Sequence, residues 1–305
     1  MNDNKPKVLV LLAAYNGREW LDEQIMSILN QQDVDIELVV SVDASSDGTE
    51  QYFEKLELED SRVTLLPTGE KFGGAAPNFF RLIRDADFTN IDFISLADQD
   101  DIWYLDKLSR ACTCLKEGVY DAYSSNVVAF WPNGKKALVD KAQRQTKYDY
   151  LFECSGPGCT FVLDIKLAAE IKSKIVRSYN KINTVWMHDW FCYNYSRFHG
   201  FKWYIDEKPS LLYRQHEENS VGANSGMRAL ITRVKVILNG DGFERVLNKA
   251  HFIGETNLYP IKLITKRSRL SFLKLACMSF SCRRKFHDKL FFFCVCIAFS
   301  IKGLH

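Results

Sequence analysis

The heptapeptide Val8 to Ala14 (VLVLLAA) restricts this chain more than any other segment. Seven apolar residues without alternation cannot form a strand with one wet face. They fit a strand covered on both sides, as in a parallel sheet sandwiched between helices. The sequence then repeats that logic. Trp20 to Asn30 carries Leu21, Ile25, Ile28 and Leu29 at helical spacing, and Ile36 to Val42 is a second apolar strand. Thr49 to Leu56 reads as a helix and Arg62 to Leu66 as a short strand. Thr68 to Ala76, with three glycines, reads as a loop, and Asn78 to Ala86 as a helix. Phe93 to Ala97 is a fourth strand. Alternating strands and helices at these intervals imply right-handed βαβ units and a parallel arrangement.

In such sheets ligands collect beyond the carboxyl ends of the strands. The polar clusters fall there. Tyr15-Asn16 follows the first strand, Asp43 the second, and Asp98-Gln99-Asp100-Asp101 the fourth. Two carboxylates one residue apart at a strand end, Asp98 and Asp100, supply hard oxygen ligands for Mg²⁺ or Mn²⁺ bridging a diphosphate. A solvated acidic turn would look the same in isolation; the position after an apolar strand favours the metal. Asp43 is placed to accept a hydrogen bond from a nucleobase imide or a ribose hydroxyl, while Asp47 or Ser46 is expected to cap the helix at Thr49.

The second half is less regular. Leu105 to Lys116 is expected as a helix, Ala122 to Phe130 as one strand, and Trp131 to Gln145 as a polar loop. Gly156 and Gly158 precede a strand over Thr160 to Leu163. Helices follow over Ile165 to Ile175 and Trp186 to Phe198, and a strand over Phe201 to Ile205.

Together Ala13-Ala14-Tyr15-Asn16-Gly17, VDASSDGT at 42–49 and LADQDDIWYLDKL at 96–108 closely resemble glycosyltransferase family 2, over about Val8 to Ala223. The similarity is nearest to rhamnosyltransferase-like members that build bacterial surface polysaccharides such as lipopolysaccharide and capsule. It implies an α/β GT-A fold, a Rossmann-like mixed sheet flanked by helices, and an inverting reaction. It further implies donor-base contacts at Ala13, Tyr15 and Asp43, Asp98 near the ribose or diphosphate, and Asp100 on the metal. The family often has two consecutive acids where this chain has Val42-Asp43; the second, base-contacting one is kept.

Inverting transfer needs a base on the acceptor hydroxyl, opposite the departing diphosphate. Trp186-Met187-His188-Asp189-Trp190 resembles the family's acceptor-side acidic motif and makes Asp189 the candidate, with His188 as the alternative. An ordinary cap or ion pair at Asp189 is the competing explanation. The segment from Tyr213, through Arg214 and His216, to Asn219-Ser220-Val221-Gly222 resembles the one that closes over the donor. There Arg214 would neutralise a diphosphate oxygen and His216 would complete the metal shell. Gly156 and Gly158 resemble the loop lining the acceptor pocket, although turn geometry alone would also explain them.

The net charge of +2 conceals an asymmetry. From Thr256 to His305 there are ten Lys/Arg and one acid, Asp288, leaving 30 basic and 37 acidic residues before them. A basic tail interleaved with Leu270, Leu273, Phe280 and Phe291 to Phe293 suits either an interfacial helix on anionic lipid or a helical subdomain packed on the body. Nucleic acid is discounted, because the body is acidic and no reader motif appears. Leu290 to Ile301, the longest apolar run at 12 residues, is too short to span a bilayer, which takes roughly 20. Nine cysteines without zinc-knuckle spacing read as reduced, mostly buried thiols, and Met1 to Lys7 does not look like a signal peptide.

The expectation is therefore a catalytic domain over 1–225 and a basic helical C-terminal region over 226–305. The enzyme would be cytoplasmic, with peripheral contact at the inner face of the cell membrane. It would move a sugar from dTDP-rhamnose or a UDP-sugar to a glycan or lipid-linked acceptor. The rivals are a phosphoaccepting signalling domain, which also clusters acids around Mg²⁺, and a binding-only protein with a decayed transferase site.

Overall fold

The computed structural model describes residues 5–216 and 240–302. Strand β1 (Lys7–Ala14) is an interior strand of a seven-stranded sheet. It pairs in parallel with β2 (Asp35–Val42) and β4 (Phe93–Ala97), and β3 (Val63–Leu65) continues outward from β2. Alternate side chains of β1 feed two cores. Val8, Val10, Leu12 and Ala14 face α1 (Leu21–Leu29), α2 (Thr49–Glu59) and α4 (Lys107–Lys116). Leu9, Leu11 and Ala13 face α3 (Ala75–Asp85), α6 (Ile165–Arg177) and α7 (His188–Phe198). A strand clothed on both faces is what the unbroken apolar run demands. The register aligns Ala14 with Val42, and Leu12 with Ala97, so all three strands end at one edge.

Beyond β4 the sheet ceases to be parallel. β9 (Val162–Asp164) inserts antiparallel between β4 and β6 (Ala122–Ser125), and β10 (Trp203–Asp206) completes the far edge, parallel to β6. The sheet is mixed, not wholly parallel. The expected single strand over Ala122 to Phe130 is in fact two, β6 and β7 (Val127–Phe130), in different sheets. The break is at buried Asn126. Its amide donates to the Glu207 carbonyl (3.0 Å) and to Asp140 (3.1 Å), while its oxygen accepts from the Lys141 amide (2.6 Å). The expected loop after Trp131 likewise contains a strand, β8 (Lys136–Val139), antiparallel to β7. β5 (Ile102–Trp103) and β11 (Leu211–Arg214) complete this second, four-stranded sheet, order β5-β11-β7-β8.

The C-terminal helices are α8 (Asp241–Ile253), α9 (Tyr259–Lys266), α10 (Arg269–Cys277), α11 (Ser279–Cys282) and α12 (Phe286–Lys302). They pack on the sheet and its helices. Phe243, Phe272, Phe292 and Phe299 belong to the same continuous core as Phe79, Phe191 and Leu11. Arg284, its side chain fully buried, reaches Asp149 (3.6 Å) at the start of α5 (Asp149–Phe152), Glu153 (3.7 Å) and the Cys154 carbonyl (2.6 Å). Much of the tail's apolar content is thereby used up internally. Leu270, Phe280 and Phe286 stay more than half exposed, among Arg267, Arg269 and Lys274. No helix among the described residues is long and apolar enough to cross a membrane. The expected boundary at 225/226 and the segment Asn219 to Gly222 lie outside the described residues.

Candidate active site

The three strand ends are stapled to one another before any ligand enters. Asn16 adopts left-handed backbone (φ 44°), and its side chain accepts from the Ser46 amide (2.9 Å). The Gly17 amide donates to Thr49 Oγ1 (2.9 Å) and the Arg18 amide to Asp47 (2.9 Å), joining the loops after β1 and β2. Gln99 joins β1 to β4. Its Oε1 accepts from the Tyr15 amide (2.7 Å) and its Nε2 donates to the Tyr15 carbonyl (2.8 Å). A Cβ on Gly17 would come within 2.2 Å of Gln99 Oε1, so that clamp requires glycine. Tyr15 itself remains 54% exposed, whereas Ala13 is buried.

Asp43 sits at this edge, immediately after β2, and is buried. Its two oxygens accept from the amides of Phe72 (2.8 Å) and Gly73 (2.9 Å), so it also anchors the glycine loop. Each carboxylate oxygen keeps a further lone pair for a ligand. The expected side-chain cap on α2 is absent. Gly48 (φ 93°) is its N-cap residue, and Asp47 instead accepts from the amide and hydroxyl of Thr49.

The acidic turn after β4 is crowded. Asp98, Asp101 and Cys159 bring ligand atoms within 4.8 Å of one another. Burial, then the charges of Asp100 and Asp189, push Asp98 up to about 7; burial with Asp100 and Asp98 pushes Asp101 well above the carboxylate range. A cation would relieve that repulsion. Asp100 Oδ2 lies 2.7 Å from His216 Nε2, and the His216 ring stacks on Trp20 at 4.1 Å. This carboxylate–imidazole pair suits a borderline-hard divalent ion. Arg214 braces the turn from β11. Its Nε donates to the Asp100 carbonyl (2.8 Å), its backbone amide to Asp101 (3.2 Å), and its guanidinium also pairs with Glu23.

Asp189, at the start of α7, packs against Gly158, beside Cys159, and lies within electrostatic range of Asp98. It is buried, accepts from the Trp190 amide (2.6 Å), and is pushed up to about 6, chiefly by burial. Trp190, Cys154, Lys249 and Lys141 pull the other way. His188 stacks on Phe79 (3.9 Å), and neither ring nitrogen has a hydrogen bond. Burial depresses it to about 3, which makes it a poor proton acceptor at neutral pH beside Asp189. A Cβ on Gly158 would lie 2.7 Å from His188 Nε2 and 3.2 Å from Asp189 Cβ; close packing, beyond turn geometry, thus demands this glycine.

Asp98, Asp100, Asp101, Arg214, His216 and Asp189 therefore gather in one region, with Asp43 two strands away along the same edge. Sequence reasoning missed Gln99, Asp101 and buried Lys107. The Lys107 ammonium donates to Ser95 Oγ (3.2 Å), lies over Trp103 (3.2 Å), and is depressed by burial to about 7. A lysine adjoining the apolar stripe Leu108, Ala111, Cys112 was the available signal.

The family model for glycosyl transferase family 2 matches residues 9–171. The chain is 42% identical over 281 residues to the dTDP-rhamnosyl transferase RfbG of Shigella flexneri, covering 92% of this chain and 96% of that protein. Among solved structures, S. aureus TarS 1-349 in complex with UDP-GlcNAc superposes with a TM-score of 0.58 at 15% identity, covering 97% of this chain and 81% of that one. The mannosyltransferase PcManGT of Pyrobaculum calidifontis, in complex with GDP-Man and Mn²⁺, gives 0.50 at 14% identity, covering 98% and 88%. At those identities the structures speak for the fold, and it is the GT-A fold. Enzymes of this kind commonly use divalent metals. The sequence match, the mixed sheet and the acids at its edge agree: this chain belongs to glycosyltransferase family 2, as an inverting enzyme of the rhamnosyltransferase-like type.

Proposed function

We propose that this enzyme transfers rhamnose from dTDP-rhamnose, or a hexosyl unit from a UDP-sugar, to a glycan or lipid-linked acceptor during surface-polysaccharide assembly. The observation that supports the reading is the packing of Gly158 against Asp189, while the next residue, Cys159, lies in the cluster with Asp98 and Asp101. Ala13, Tyr15 and Asp43 would receive the base and ribose, Asp98 the ribose or diphosphate, and Arg214 a diphosphate oxygen while bracing the turn. Asp100 and His216 would hold Mg²⁺ or Mn²⁺, which supplies Lewis-acid neutralisation of the diphosphate. Asp189 takes the acceptor hydroxyl proton as that oxygen bonds to the anomeric carbon and the nucleoside diphosphate departs from the opposite face. With a value of about 6 it is mostly ionised at pH 7 yet still basic enough to accept a proton.

A signalling receiver is poorly supported, since the sheet contains an antiparallel strand and continues into a second sheet. The catalytic domain is assigned to 1–225 and the helical region to 226–305, and the latter is proposed to rest on the inner membrane face. Exposed Leu270, Phe280 and Phe286, beside exposed Arg269 and Lys274, support that contact. Vesicles of phosphatidylglycerol should retain the chain at low salt and vesicles of phosphatidylcholine should not; equal retention would remove the lipid contact. The donor is tested by thermal shift with Mn²⁺ against dTDP-rhamnose, UDP-galactose and UDP-N-acetylhexosamines. Stabilisation by none of them, with or without metal, would defeat the donor assignment.

A further inference from the structure

Helix α8 lies outside the segment matched by the family, yet it holds the turn that carries Asp189. Arg245 and Lys249, one helical turn apart on α8, stack over Trp186 (3.9 Å) and Trp190 (3.3 Å), the two tryptophans that bracket His188-Asp189. Lys249 is buried, 3% exposed, where an ammonium needs dedicated partners. It has them. The Tyr150 carbonyl accepts from Nζ at 3.3 Å, and the same carbonyl accepts from Trp190 Nε1 at 2.9 Å. The Asn194 amide, turned so that its oxygen faces Nζ (3.1 Å), presents its nitrogen to Glu255. Gly254 (φ 106°) ends α8 in left-handed backbone, and Glu255, just beyond it, is fully buried. A Glu255–Asn194–Lys249 relay thus ends on the face of the residue whose amide holds Asp189.

We propose that Lys249 is a positioning residue for Asp189: its ammonium, set by Glu255 and Asn194 and seated on Trp190, keeps that carboxylate ionised and aimed at the acceptor. Part of the transferase site would then come from the C-terminal helical region. The inference rests on Asp189 being the base. Among the other described groups facing Asp189, only Lys141 shares the positive charge of Lys249. The Trp190 amide and Cys154 thiol donate to it without charge, Lys141 adds a second cation, and Asp98, Cys192 and neutral His188 add none. Burial disfavours both the Lys249 ammonium and the Glu255 carboxylate, and each ion's field partly restores the other.

The test reads Asp189 directly, independent of substrate. The full chain is labelled with [γ-¹³C]aspartate and titrated by NMR, with D189N identifying the signal. The wild-type midpoint is expected near 6, and in K249M it should rise by about one pH unit, a tenfold loss of ionised base below the midpoint. K249Q, which can still donate to the Tyr150 carbonyl, should shift it similarly, whereas K249R should leave it in place. An unmoved midpoint in a folded neutral variant overturns the proposal. Should neither neutral variant fold, ¹⁵N-lysine NMR of the wild-type chain decides: an ammonium at position 249 at pH 7 supports it, and a neutral amine overturns it. Loss of transfer in D189N is a separate result, and its absence would remove the base assignment without touching the Lys249–Asp189 coupling.

Discussion

The two halves of the large sheet are built on different principles. Strands β1, β2 and β4 are parallel and feed apolar cores on both faces; each can be recognised from its own residues. From β9 to β10 the strands are three or four residues long, run in both directions, and depend on polar contacts between distant segments. The Tyr123 hydroxyl on Asp206 (2.6 Å) and the Trp203 indole on Ser124 (2.9 Å) are of that sort. The difference maps onto chemistry. The regular half carries Ala13, Tyr15, Asp43 and Asp98, the residues proposed to receive the donor. The irregular half carries Asp189, proposed to serve the acceptor, and Gly158, which packs against it.

That contrast can be broken most severely at Asp189. D189N should lose transfer by about 10³-fold while donor affinity, measured by calorimetry, stays within about twofold. In the wild type, the transfer rate should fall about tenfold per pH unit below a midpoint near 6, because the base works only when ionised and its value is raised to about 6. A flat profile from pH 5 to 8 would mean that another group accepts the proton. If D189N weakened donor binding as much as transfer, the separation into donor and acceptor halves would collapse.

The next largest effect concerns the tail. R284M leaves Asp149 with Arg197 (3.2 Å) but strips Glu153 and the Cys154 carbonyl of their buried cation. A loss of about 3 kcal/mol in unfolding free energy is expected from denaturant titration, against little for K274M on the exposed face. Equal, small effects would make the helical region an accessory layer and not part of the fold. Smaller still is G17A, in the regular half. The new methyl would evict Gln99 from Tyr15, loosening the donor loop. Donor affinity should drop about tenfold, with the rate at saturating donor preserved. A change in that rate without a change in affinity would place Gln99 in the transfer step itself.

Much of the donor half was legible in advance because its signals are local. Seven consecutive apolar residues, a strand end and an acid immediately after it are all read within one window. Failures cluster where the deciding contact is remote. Nothing within Ala122 to Phe130 reveals that Asn126 is gripped by Glu207 and Asp140 and turns one apparent strand into two. For Gly158 the sequence left an acceptor-loop role and plain turn geometry equally open; the packing of His188 and Asp189 against it, from about thirty residues away, is visible only in the fold. Asp101 received no role of its own from the sequence; only the fold buries it beside Cys159.

The primary structure alone therefore determined the element order through β4, the crevice edge, and which side chains arrive there, because hydrophobic periodicity and strand-end position are short-range properties. Folding decided the rest: the second sheet, the inward turn of Arg284, and the raised proton affinity of Asp189. Those depend on how deeply a group is withdrawn from water and which charges surround it, and both are sums over residues scattered along the entire chain.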